Sequence, residues 1–139
     1  MCAGHRPQVA PGLLPAPGGA GLLTVSVSAR EGYTLVSLAG EADVTVRGRL
    51  RAALSAQVAA GSAHLVVDLS GLRFIDCSCL RVLWRASLLA QEAGGMLELA
   101  APQPAVARAV ELWGAGRVIG VHDSMAEEVI AVPSACRPR

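Results

Sequence analysis

The sequence has no lysine. Its twelve basic residues are all arginine, set against eleven acidic residues, for a formal net charge of +1. A balance this even gives no broad basic field, so nucleic acid is not an expected partner. Aromatic residues supply 3% of the chain and charged residues 17%, while 53% is hydrophobic. That composition describes a globular chain with a core of small aliphatic side chains, not a disordered one. No window approaches the roughly 18 uninterrupted apolar residues of a membrane span. No signal peptide is evident, because four prolines within residues 1–20 break up any apolar run. No P-loop is present, and no G-x-G-x-x-G follows a strand, so nucleotide binding has no motif behind it. There are four cysteines, Cys2, Cys77, Cys79 and Cys136. A chain this long buries a core without disulfides, so reduced thiols in a cytoplasmic protein are expected.

Residues 1–20 hold four Pro and four Gly with little periodicity and read as a flexible tail. LLTVSVSA (22–29) and YTLVSLAG (33–40) are β-rich runs whose short link, REG, favours an antiparallel hairpin. The period then becomes helical. Val46, Leu50, Leu54 and Val58, with Ala53, form an apolar stripe, while Arg47 and Arg51 face away. Thr45 or Asp43 caps its start and Gly61 its end. HLVVDLS (64–70) reads as a strand covered on both faces, followed by a connecting loop, SGLRF. From Asp76 a second helix places Leu80, Leu83, Trp84, Ser87, Leu88 and Gln91 on one face and Arg81, Arg85 and Glu92 on the other. Gly94-Gly95 stops it. MLELAA (96–101) is the fourth strand. A third helix buries Val106, Val110 and Trp113, RVIGV (117–121) is the fifth strand, and Ser124 opens a last helix through a capping box with Glu127.

The order is β-β-α-β-α-β-α-β-α. It predicts an α/β domain over residues 21–132 between two tails, 1–20 and 133–139. Its sheet is mostly parallel and five-stranded, with an N-terminal hairpin and about four helices.

FIDCSCL (74–80) is the stretch that raises a chemical question. Asp76, Cys77, Ser78 and Cys79 fall at the N-terminus of the second helix, where free N–H groups favour negative charge. A phosphate on a first-turn hydroxyl finds donors there, and a thiol has its pKa pulled down, although Asp76 opposes that. The plainer reading makes Asp76 the N-cap and the thiols packing residues. Metal binding is not expected. Residues two apart on a helix point roughly 200° apart, and His5, His64 and His122 show no ligand spacing. A cysteine enzyme needs a base; His64 starts the strand that leads to Asp76 and belongs at its far end, while His122 is placed on the rim of Asp76. Glu41, Asp43, Asp68 and Asp76 gather near strand ends in this reading. An acidic receiver site also needs a cation for the phosphoryl group, and there is no lysine.

With these residues in view, the pattern resembles the STAS domain of sulfate transporters and anti-sigma factor antagonists. LAGEAD (38–43) is similar to the family's Leu-x-Gly-Glu-Leu-Asp. LVVDLSGLRFIDCSCLRVL (65–83) is similar to its apolar strand, Asp-Leu-Ser-Gly, and Phe-Ile/Met-Asp-Ser-Ser-Gly-Leu. LELAAPQPAVARAVELWG (97–114) is similar to its strand, Pro-containing turn and Gly-ended helix. The resemblance spans about residues 22–132. It implies a non-enzymatic partner-switching protein without cofactor or metal, acting in the cytoplasm as a monomer or weak dimer. An anti-sigma factor of the serine-kinase type is the implied partner, with a serine phosphatase as an optional further one, and no nucleic acid or membrane span. Transcription is regulated when the unphosphorylated domain binds the kinase and frees its sigma factor. Asp76 matches the motif Asp, Cys77 replaces the phosphorylated Ser, Ser78 matches the second Ser, and Cys79 replaces Gly. Glu41, Asp43, Cys79, Leu80 and Arg81 are the implied partner-binding residues. Three readings of the altered switch stay open: Ser78 is a structural hydroxyl, Ser78 is the phosphosite, or a thiol takes the regulatory role. The alternatives are a redox-regulated STAS module and a STAS accessory subunit of a transporter complex.

Overall fold

The structure, a computed structural model, describes residues 8–9, 23–114 and 119–124. One mixed sheet carries six strands in chain order: β1 (Gln8–Val9), β2 (Leu23–Arg30), β3 (Tyr33–Ala42), β4 (His64–Ile75), β5 (Met96–Ala100) and β6 (Gly120–His122). The first three pair antiparallel; β3, β4, β5 and β6 run parallel. Each parallel link needs a crossover, supplied by α1 (Arg47–Ala59), α2 (Cys77–Glu92) and α3 (Pro104–Trp113). Every crossover steps the same way across the sheet. The strong preference for right-handed crossovers therefore puts all three helices on one face. Leu50 and Leu54 of α1, Leu83 of α2 and Val106 and Val110 of α3 accordingly share one core with Val36, Val67 and Leu99 of the strands. Alternate strand positions point the other way, where Leu35, Val66 and Ala100 form a small second cluster.

The α1 stripe holds as expected: Val46, Leu50 and Leu54 are buried, with Ala53 and Val58 packed beside them. Asp43 is the residue that caps, accepting the Thr45 N–H and opening a 3-10 turn over Val44–Val46 that leads into α1. On α2 the buried face is rotated from the expected one. Cys79, Val82, Ala86 and Ala90 join Leu80, Leu83 and Ser87, while Trp84 and Leu88 are half-buried and Gln91 is exposed. Small side chains let α2 lie close to the sheet, and hydrophobicity alone ranks them too low. Trp113, expected inward, is 37% exposed and rests edge-on against Trp84 at 6.2 Å.

Four other expectations change. Gln8–Val9 pairs with Ser26 and Val27, so the tail read over 1–20 contains an edge strand; the rest of that tail lies outside the described residues. SGLRF is strand rather than loop, because residues 71–75 continue β4 along Ala39–Ala42 through two register shifts. Backbone pairing overrides the turn preference of Ser-Gly there, and Gly71 gives the room, since a Cβ would sit 3.0 Å from that of Ala39. The hairpin loop is the pair Glu31-Gly32, not three residues. The fifth strand of the expectation lies at 120–122; the last helix and the tail 133–139 fall outside the described residues. At the end of α2, Gly95 meets the backbone so closely that a Cβ would lie 1.6 Å from the Ala63 carbonyl oxygen.

Candidate functional site

The register of β3 on β4 sets Glu41 beside Phe74 and Ala42 beside Ile75. Two stretches 30 residues apart in sequence, LAGEAD and FIDCS, thus leave the sheet side by side. The Asp76 N–H donates to the Ala42 carbonyl at 3.0 Å and locks the two exits together. The Cys79 thiol ties them again, reaching the Asp43 carbonyl at 3.3 Å.

Asp76 caps α2. One carboxylate oxygen, Oδ1, accepts the Cys79 N–H at 3.0 Å and the Ser78 hydroxyl at 2.7 Å. Partial burial raises its pKa, but those hydrogen bonds outweigh it and hold the carboxyl below the usual 3.8. The Ser78 hydroxyl, half-buried, spends its proton on that cap. Cys77 is exposed and Cys79 fully buried. Burial pushes the Cys79 thiol up to about 11, with the negative charge of Asp76 adding to it. A thiolate nucleophile at Cys79 is therefore disfavoured near neutral pH.

Among the other implied partner-binding residues, Arg81 is exposed, Glu41 and Asp43 are half-buried, and Leu80 lies in the core. Glu41 sits 3.6 Å from Arg73 on the surface. A shallow hollow of about 200 Å³ beside the turn is lined by Arg47, Cys77, Ser78, Arg81 and Trp113.

Asp68 does not join this group. It pairs with Ser37 and Ala100 and caps the Ser70 N–H at 2.9 Å. Eight residues of strand put it about 26 Å before Asp76. His122 is also absent from this rim. It is level with Ala100, and hence with Asp68. Its Nε2 lies 3.2 Å from Oε1 of Glu98, a carboxylate that is 2% exposed, and Nε2 of His64 lies 3.4 Å from the same oxygen. Nothing in MLELA marks Glu98 as the centre of this cluster, which forms only when β5 is flanked by β4 and β6. No group of three His, Cys, Asp or Glu side chains among the described residues is arranged to hold a metal ion. No helix among them is long and apolar enough to cross a membrane.

The profile of the family described as "Mlab, STAS domain" matches residues 25–121. An anti-sigma factor antagonist from Mycobacterium paratuberculosis is similar over 86% of this chain and 98% of its own, with 28% identity and a TM-score of 0.73. A variant of RsbS from Moorella thermoacetica is 26% identical over 70% of this chain and 84% of its own, with a TM-score of 0.58. The Bacillus cell fate determinant SpoIIAA in its phosphorylated form shares the fold at 19% identity and a TM-score of 0.60, covering 77% of this chain and 96% of its own. No curated protein sequence matches the chain.

Proposed function

The chain belongs to the STAS domain family, and from that premise we propose that it is an anti-sigma factor antagonist. It binds an anti-sigma factor of the serine-kinase type and releases the bound sigma factor. The role is that of a binding partner, not an enzyme. The observation that carries this reading is the paired exit of β3 and β4. It presents Asp76, Cys77, Ser78 and Arg81 at one surface with Glu41 and Asp43 alongside, in a chain 28% identical to such an antagonist over most of its length.

Cys79 and Leu80 serve this surface from beneath, as its buried floor. The off-switch of the family is altered. A thiol at position 77 is not a substrate for a serine kinase. Ser78 is tied to Asp76, and a phosphate there would break that bond and set its charge against the carboxylate. In this reading Ser78 is a structural hydroxyl and the domain stays competent to bind.

The test is incubation with the anti-sigma kinases of the same genome and ATP, followed by intact-mass measurement and co-precipitation. Capture of a kinase without added phosphate is expected. Addition of one phosphate that disappears in Ser78→Ala would move the switch to that residue. Capture of none of the kinases would sink the antagonist role.

A further inference from the structure

The outer faces of α1 and α2 carry arginines at the same spacing, Arg47 and Arg51 on one and Arg81 and Arg85 on the other. All four line one open groove of about 510 Å³ between the helices. The groove continues at both ends. Towards the start of α2, Arg47, Ser78 and Arg81 also line the hollow that Trp113 closes. Towards its end, Arg51 and Arg85 also line a hollow of about 360 Å³ that reaches Leu89 and Glu92.

None of the four guanidinium groups is ion-paired among the described residues. The nearby carboxylates of Asp43 and Asp76 are turned to their own caps, leaving Glu92 as the acidic group along this channel. Four like charges facing one another across a groove repel, and a ligand that supplies carboxylates relieves the repulsion. The ends of the channel are apolar and exposed: Val44 at 54% and Trp113 at 37% on one side, Leu89 at 42% on the other.

We infer that this groove is the docking site for an acidic amphipathic helix of a partner protein. Arginines four apart rise about 6 Å along each wall, and glutamates four apart on a helix rise by the same step. Guanidinium groups take carboxylates two-pronged, and apolar residues at the ends of the docked helix fill the two exposed patches. A concave channel between two helices suits a rod better than a membrane surface. Its apolar ends, with one aromatic ring, suit a peptide better than a nucleic acid strand. The inference extends the proposed partner surface along the molecule and does not depend on the partner being a kinase.

The probe is a fluorescein-labelled helical peptide of 16 residues, matching α2, whose residues line the channel from Cys77 to Glu92, with glutamates paired four apart and leucine at both ends. A scrambled peptide of identical composition, a single-stranded oligonucleotide and anionic phosphatidylglycerol vesicles are the comparators. Fluorescence anisotropy is read on the full chain, on Arg51→Glu/Arg85→Glu and on Arg108→Glu, an exposed arginine outside the groove. Circular dichroism melts establish that each variant is folded. Wild type binds the patterned peptide about tenfold more tightly than the scrambled one, and the double reversal removes that preference while Arg108→Glu keeps it. Binding weakens with added salt. Equal binding of both peptides, displacement of the patterned peptide by oligonucleotide or vesicles at lower concentration, or an unchanged preference in a folded double reversal overturns the inference. Kinase capture on the same proteins separates the two claims. Peptide preference without kinase capture leaves the groove and removes the antagonist role; kinase capture without peptide preference does the reverse.

Discussion

Asp76 does three jobs with one side chain. It caps α2, holds the Ser78 hydroxyl, and sits where two strand ends meet. Replacing it with alanine removes the side-chain acceptor of the Cys79 N–H, leaving it only the Asp76 carbonyl at 3.1 Å, and lowers stability by about 1 kcal/mol, read from denaturant melts. Its carboxyl pKa is depressed in the folded state. The stability that it contributes is therefore complete well above pH 3.8 and is lost as pH falls through the lower, folded value. Asp76→Asn should flatten the acid limb of the stability profile and leave neutral-pH stability within a fraction of that loss. An acid limb identical to wild type would contradict this assignment. The two thiols of the turn divide sharply. Iodoacetamide at pH 8 should label Cys77 in the native protein and Cys79 only after unfolding, as peptide mapping would show. Native labelling of Cys79 would mean that the turn opens on its own. The fate of these thiols was not readable from Cys-Ser-Cys. Which of two neighbouring cysteines enters the core depends on the angle at which α2 meets the sheet.

Elements were legible where the periodicity came from burial on one side. The α1 stripe follows from spacing alone, whereas side-chain chemistry left Thr45 and Asp43 both open as the cap and the fold selects Asp43. The second half of β4 did not read as strand, because Ser70 and Gly71 are turn formers locally and become strand only through pairing with Ala39–Ala42. The junction of α2 and β5 makes an element-scale prediction. Gly95 donates to the Ala90 carbonyl, and the next residue, Met96, donates to Ala63 at 2.7 Å. A methyl group at position 95 would collide with the Ala63 backbone. Gly95→Ala should therefore cost about 2 kcal/mol or more, whereas the same change at Gly48, which has open space around it, should stabilise α1 by a fraction of that. Thermal melts of the two variants should move in opposite directions.

At the scale of the whole molecule, the α/β class, the hairpin start and the alternation of strand and helix were readable from the order of periodic segments. The position of the turn from Asp76 to Ser78 was readable too, through motif resemblance. The arginine groove was half visible: each pair was recognised as an outward face, but that the two faces meet follows from the packing of α1 on α2. Hydrogen exchange should rank the strands by their place in the sheet. Amides of β4, paired on both sides and covered by the main core, should exchange slowest, and those of β1 fastest. Comparable protection of β1 and β4 would refute that ranking.

The strand order, identical to the order along the chain, has a consequence for how the protein is made. Each strand finds its partner in the segment that left the ribosome just before it, so no nascent segment waits for a distant one. The β2–β3 hairpin can close first, and every later strand–helix pair adds to an existing template. Loop-closure entropy is met in small instalments, which favours rapid folding for a sheet that is largely parallel.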